Sequence, residues 1–409
     1  MEIKRALVLT AIAVVTYMMI LAWQRDYGQA PKVAAAATEQ QASLPEVPAV
    51  STASDSGTDA VPQVSEIPVA AAADMGITPA QIPAAAPVED DRLIRVSTDV
   101  FQLEIDRLGG DIVRVALPQY PLHAETPDQP FLLMQRDSSH KYIAQSGLIG
   151  PNGTDTAEGR PVWLAEQASY RLDERDNELN VDLTLQQAAG VTLVKRFTFE
   201  RGSYLVRISH IVRNSGDQTW QGALYGQVRR DSGADPSGSK AGFVPMPTYL
   251  GAAYWASDKP YNKLPFGDIK EESLKTAQDA GWIAMIQHYF LSAWIPDRLQ
   301  KHTYSATWLS ASDEYLLRFV SPVVSVAPGT EQVLYSEFYA GPKQQDVLES
   351  ISPGLNMTVD YGWLWFISQP IFAVLIFLQS GQITLFGNSF DLGVGVGNWG
   401  VAIILLTLL

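Results

Sequence analysis

From Arg92 to Tyr339 the chain alternates apolar and polar residues in short runs, a period of two that suits half-buried strands and not amphipathic helices. Leu93 to Val96 and Val100 to Ile105 read as strands ending at Gly109-Gly110, and Ile112 to Val115 resumes after that turn. Further on, Val191 to Glu200 and Tyr204 to Arg213 flank Arg201-Gly202-Ser203, a loop of hairpin length. Tyr204, Val206 and Ile208 then share one face, with Leu205, Arg207 and Ser209 on the other. Similar runs recur at Tyr315 to Val320 and Gln332 to Tyr339, punctuated by Ala327-Pro328-Gly329. About 250 residues patterned this way predict one large antiparallel β-sandwich, within the size that all-β domains reach.

A short helix closes this region. Gln344 to Ile351 lies between Gly341-Pro342 and Pro353-Gly354, and Val347, Leu348, Ile351 and Leu355 fall at helical spacing, so one face can pack on the sheet. The next stretch, Asp360 to Pro370, crowds two tryptophans, a tyrosine and a phenylalanine ahead of the apolar run Ile371 to Leu378. Aromatic rings with a polar edge favour the headgroup layer, which places a membrane surface here. A helix is predicted from Asp360 as N-cap through Phe366, kinked or restarted at Pro370. Hydropathy leaves open whether Trp363 to Leu378 lies in the interface or spans. Gly381 to Asn398 is glycine-rich and reads as a surface loop. The apolar residues Val401 to Leu409 reach only about 13 Å as a helix, which leads us to expect further chain within a transmembrane helix.

The other end also points to a membrane. Lys4 and Arg5 precede the uncharged Ala6 to Trp23, long enough to cross a bilayer core, and hold the N-terminus in the cytosol. An uncleaved anchor is expected, because Trp23, Gln24, Arg25 and Asp26 stand where a signal peptide needs small residues, although Ala34 to Ala37 would suit a late cleavage. Residues 28–90 are rich in Ala, Pro, Ser and Thr, lack aromatics, and read as a disordered tether. The predicted domains are thus an anchor (1–27), a tether (28–90), a sandwich with its connector helix (91–356), an interfacial helix and loop (357–396) and the start of a second transmembrane helix (397–409).

A net charge of -15 with no local Lys/Arg cluster argues against nucleic acid as a partner. The absence of cysteine removes thiol chemistry, disulfides and Cys-ligated metal together, and the five scattered histidines show no metal-binding spacing. No metal, cofactor or catalytic residue is predicted.

The stretch DYGWLWFISQP (Asp360, Tyr361, Gly362, Trp363, Trp365, Phe366 and Pro370 carrying its character), followed by Gly397, Asn398, Trp399 and Gly400 and an Ile/Leu run, resembles the YidC/Oxa/Alb family of membrane protein insertases in its Gram-negative form. The anchor, the tether and the segment Gly281 to Pro296, GWIAMIQHYFLSAWIP, fit that resemblance, which covers essentially the whole chain. It implies a mainly β fold: a large antiparallel β-supersandwich in the periplasm, similar to sugar mutarotases, after a single N-terminal transmembrane helix and before an interfacial helix and an α-helical membrane core. It implies an inner-membrane protein with a cytoplasmic N-terminus and residues 24–397 in the periplasm, not an enzyme. Its partners would be nascent membrane proteins, Sec translocon components and the lipid bilayer. In the family a polar groove with a positive side chain on the second transmembrane helix lowers the cost of moving polar segments into the bilayer. That position would fall just past Leu409, so this chain is expected to carry the periplasmic part and to lack most of the insertase core. The segment Ile371 to Gly397 is longer than the family's usual connection.

The rival expectation is a membrane-anchored sugar-binding or mutarotase-like module. His210 on a strand is its best base, with Glu200 or Glu337 as carboxylate partner, and Trp220, Trp255, Trp282, Trp294 and Trp308 would offer stacking faces. A hydrogen-bonded or solvated histidine and packed tryptophans are the simpler reading.

Overall fold

A computed structural model describes residues 92–123, 125–137, 140–233, 249–359, 365–385, 388–391, 393 and 395–408. The expected anchor, the tether and Asp360 to Trp363 lie outside the described residues.

The alternating region forms two large sheets packed face to face. One has eleven strands, with the order Leu274–Asp279, Lys301–Leu309, Glu314–Val320, Trp220–Asp231, Lys141–Ile149, Pro130–Arg136, Asp111–Pro121, Gln102–Asp106, Leu93–Ser97 and Ser169–Arg171, and Val324–Val326 beside the Trp220 end. The other has nine strands, ordered Asn262–Pro265, Gly251–Tyr254, Ile283–Ile286, Phe290–Pro296, Thr330–Pro342, Leu205–Asn214, Val191–Glu200, Glu178–Gln187 and Leu164–Ala165. Pairing is antiparallel apart from the short parallel contact of Leu93–Ser97 with Ser169–Arg171. The chain is mainly β, and its large domain is a β-sandwich.

The predicted hairpin shows why. Val206 pairs with Phe199 and Ile208 with Phe197, so four buried side chains project from one face while Arg207 and Thr198 oppose each other on the other. Gly202 turns the chain at φ +71°, a left-handed conformation that costs glycine nothing. The inner faces meet where Trp294 of one sheet packs on Phe319 of the other, ring centroids 5.8 Å apart. Gly226 makes room for that pair: a β-carbon there would come within 2.3 Å of the Phe319 ring. The Tyr142 and Ser292 hydroxyls bond at 2.8 Å across the same interface, giving one buried polar link between the sheets.

Every residue of Phe290–Pro296 is buried, so its outer face is covered as well. The helix Gln345–Ile351, here the connector helix, and the turn Leu355–Thr358 supply Leu348, Ile351 and Leu355 for burial, and Trp282 Nε1 donates to the Pro353 carbonyl at 3.1 Å. Val347, expected on the packed face, is exposed. Residues 348, 351 and 355 stack at intervals of three and four, and 347 sits one helical step to the side.

Two further helices follow, Trp365–Ser380 (the junction helix) and Trp399–Leu408 (the capped helix). Between them Gln382–Leu385 pairs antiparallel with Asn388–Asp391, so the expected loop contains a β-hairpin. The junction helix is continuous through Pro370 rather than broken there, and its first described residue is Trp365. Pro370 has no N–H to donate to the Phe366 carbonyl, so the helix forfeits that one ladder bond.

Candidate functional site

The described part of the aromatic motif opens the junction helix, and Gly397 to Gly400 follows beside the far end of that helix, where backbone bonds set the order. Trp365, Phe366 and Pro370 lie in the junction helix, with Trp365 and Phe366 opening its described part; Asp360, Tyr361, Gly362 and Trp363 lie outside the described residues. At the other end of that helix Gly381 takes φ +73° and donates to the Phe377 carbonyl at 2.8 Å. The N–H groups of Val396 and Gly397 then donate to the carbonyls of Leu378 and Gln379 at 2.9 and 2.8 Å. Three helix-end carbonyls that would otherwise lack partners are thereby satisfied by residues near both ends of the inserted β-hairpin. Gly395 permits the approach, since a β-carbon there would lie 2.3 Å from the Ser380 carbonyl carbon.

Gly397, Asn398, Trp399 and Gly400 form a helix start. Gly397 turns at φ +66°, and Asn398 Oδ1 accepts from the N–H groups of Gly400 and Val401 at 2.9 and 3.2 Å, a side-chain N-cap. Beyond the cap the helix has no charged residue. Trp399, Val401, Ile403, Ile404 and Leu408 are exposed around it, and Ile371, Phe372 and Val374 are exposed on the junction helix. Contiguous apolar exposure of this kind marks a surface made for an apolar environment. Among the described residues no helix is long and apolar enough to cross a membrane. At 1.5 Å per residue the sixteen-residue junction helix extends about 24 Å.

The sandwich contains a second concentration of polar chemistry, which the sequence reading did not single out. Arg160 donates to Asp111, to Asp155 at 3.0 Å and to the Ser146 carbonyl at 3.1 Å, while the Tyr225 hydroxyl reaches Asp155 at 2.5 Å. Although burial opposes it, the two carboxylates hold Arg160 firmly protonated. Lys195 is fully buried and donates to the carbonyls of Gly109 and Ser146 at 3.1 and 2.8 Å. Burial, with Arg160 adding to the effect and Asp111 opposing it, brings its ammonium down to about 7. The signal was present: Val191, Leu193, Lys195, Phe197 and Phe199 alternate inward, and a lysine occupies the middle position.

His210 pairs in register with Lys195 and is likewise buried, and neither ring nitrogen has a partner among the described residues. Burial first, then the Lys195 and Arg160 cations, hold its pKa well below the usual histidine value. Glu337 opposes Arg207, and Glu200 lies 3.3 Å from Arg207, on the face opposite to His210. The proposed base and its carboxylates are therefore not brought together. Trp220, Trp282 and Trp294 are core residues, and Trp255 and Trp308 pack partly buried against that core. Among the described residues no three His, Asp or Glu side chains come together in a way that could hold a metal ion.

Residues 93–374 match the family described as the YidC periplasmic domain. The membrane protein insertase YidC of Alcanivorax borkumensis is 58% identical over 417 aligned residues, covering 100% of this chain and 70% of that protein. The membrane protein insertase YidC of Stutzerimonas stutzeri is 42% identical over 408 residues, covering 100% of this chain and 68% of that protein. Among solved structures, a galactose mutarotase related enzyme from Lactobacillus acidophilus covers 61% of this chain and 97% of its own at 9% identity and a TM-score of 0.39, too slight a likeness to carry a function across.

Proposed function

The chain belongs to the YidC family of membrane protein insertases, and we propose that it integrates nascent inner-membrane proteins and helps them fold, alone or beside the Sec translocon. In this reading the N-terminus is cytoplasmic, residues 24–397 are periplasmic, and the protein moves chains across an interface without transforming them chemically. The domain limits proposed are those of the sequence: anchor, tether, sandwich with connector helix, interfacial segment and second transmembrane helix.

The junction carries the proposal. Two uncharged helices are fastened to each other through the Gln379 carbonyl and the Gly397 amide, and both expose apolar side chains that water would penalise. A sandwich connected to such a hairpin stands where substrate segments leave the bilayer. Asp360 to Pro370 would set its position there, and Asn398 would fix where the next helix begins. The sugar-module alternative gains nothing from the structure, because His210 is enclosed between the sheets and Glu200 and Glu337 face away from it.

Complementation tests the function. Cells depleted of their resident insertase should regain insertion of a membrane-protein reporter when this protein's gene is supplied, and failure to restore it at normal abundance would refute the assignment. Proteolysis of spheroplasts tests the topology: a resistant fragment beginning near Asp90 is expected, and full protection would contradict export.

A further inference from the structure

The outer face of the eleven-stranded sheet, turned away from the sandwich core, carries a transverse row of polar residues that neither the fold nor the insertase function explains. Opposed residues of antiparallel strands share a face, and the register aligns Lys275 with Ser305, Ser305 with Arg318, Arg318 with Gln227, and Gln227 with Gln145. The alternate residues Leu317 and Phe319 belong to the inter-sheet core, which assigns Arg318 to the other face. Gln145 and Gln227 are joined at 2.8 Å, and Gln145 donates to Asp111 at 2.6 Å. The row therefore runs from a closed hydrogen-bonded interior to Ser305, half-buried, and Lys275, exposed.

Arg318 is the anomaly in this row. It is nine-tenths buried, and among the described residues it makes no hydrogen bond or ion pair; its Nε is sealed from solvent without an acceptor. Other buried arginines of the same sheet face have carboxylates. Arg229 is held by Glu314 at 2.5 Å, and Arg160 by Asp111 and Asp155. Arg318 has none, although burial brings it down only to about 10, so it remains a cation at neutral pH. A buried unpaired charge is costly to fold, and the cost requires a compensating partner. In a chain of net charge -15, a cation kept clear of carboxylates is a selective feature rather than a consequence of composition.

We propose that Arg318, Ser305 and Lys275 form an oxyanion-binding site on this sheet face, accepting the phosphate or carboxylate group of a ligand. Directly opposed side chains start about 5 Å apart, so the two cations flank Ser305 with their β-carbons about 10 Å from each other. An oxyanion over Ser305 is then within reach of the Arg318 fork, the hydroxyl and the Lys275 ammonium. Guanidinium recognises phosphate and carboxylate alike through paired N–H donors. Lys275 is solvent-exposed and supplies the point charge that draws the anion in, and Gln227 borders the arginine on its inner side.

The test uses the full chain in zwitterionic nanodiscs, titrated calorimetrically with inorganic phosphate, acetate and soluble dihexanoyl-phosphatidylglycerol, in wild type and in R318Q, S305A, K275A and the control R213A. Saturable binding is expected, weakened at least about tenfold in R318Q, the size of a lost charge-assisted hydrogen bond, less in S305A and K275A, and unchanged in R213A. Which of the three probes binds identifies the source as free phosphate, carboxylate or lipid headgroup. R318Q removes an unpaired buried charge, so in anion-free buffer its Tm should equal or exceed that of wild type. Binding by none of the probes, binding that survives in R318Q, or a Tm several degrees lower in R318Q would each overturn the proposal. Should R318Q fail to fold, it counts against the proposal, and unaltered binding in both S305A and K275A counts against it independently.

Discussion

The amide of Gly397 donates to the carbonyl of Gln379 at 2.8 Å, closing the junction helix and the capped helix into one hairpin despite the β-hairpin inserted between them. Val396 and Leu378 repeat the bond one residue back, so the connection has a defined register.

Gly395→Ala should break that register, because the added β-carbon would lie 2.3 Å from backbone at Ser380. Hydrogen exchange at the amides of Val396 and Gly397 should accelerate in the variant, and unchanged protection would show that the helices are held together by other means.

Asn398→Ala removes the cap of the following helix and should cost about 1 kcal/mol of local stability, read as faster exchange at Gly400 and Val401. Asn398→Asp should restore protection, since aspartate caps equally well. A loss in both variants would mean that the side chain acts elsewhere.

Within the sandwich, Gly226→Ala forces a β-carbon against Phe319 and Trp294. Overpacking of this kind costs about 1–3 kcal/mol, and at about 2–4 °C per kcal/mol for a domain of this class the Tm should drop by several degrees. An unchanged Tm would mean that the two rings relax freely.

Lys195 and His210 both make stability rise with pH, in different pH windows. Lys195 is protonated in both folded and unfolded chains below about 7; between about 7 and its ordinary 10.5 the unfolded chain carries the extra proton, so stability rises with pH there. The Tm difference between wild type and Lys195→Met should therefore shift in favour of wild type from pH 7 to 10. His210, depressed below 6.5, makes the unfolded chain the better proton acceptor on the acid side, so stability falls as pH drops below 6.5. His210→Leu should flatten that acid limb and leave pH 8 little changed; parallel curves in thermal unfolding would refute either assignment.

Much of the fold was legible because it rests on period-two patterning with glycine turns, as between Val191 and Asn214, and on tethering helices with one apolar stripe, as Leu348, Ile351 and Leu355. The inserted β-hairpin was not, since Gln382–Leu385 and Asn388–Asp391 are four residues each among glycines, too short to show a period. The polar row through Arg318 was hidden for another reason. Eight of the nine residues of Lys141–Ile149 are buried, so alternation cannot say which face meets the other sheet, and charge on a doubly covered strand looks like an interruption rather than a site. Lys195 and His210 stand at inward positions of their strands, but that they oppose each other, with only backbone carbonyls bonded to the ammonium, depends on pairing across strands that sequence does not specify. Beyond the junction helix, the backbone bonds from Val396 and Gly397 left only a run of glycines in the sequence, which reads as a loop and not as a defined connection.

The most direct test of the junction's role replaces Trp363 and Trp365 by alanine in the protein expressed from its own gene, and follows insertion of a reporter membrane protein alongside the abundance of the variant. Insertion should fall severalfold while the protein remains as abundant as wild type. Insertion at the wild-type rate would contradict a role for Asp360 to Pro370 in positioning the sandwich at the membrane.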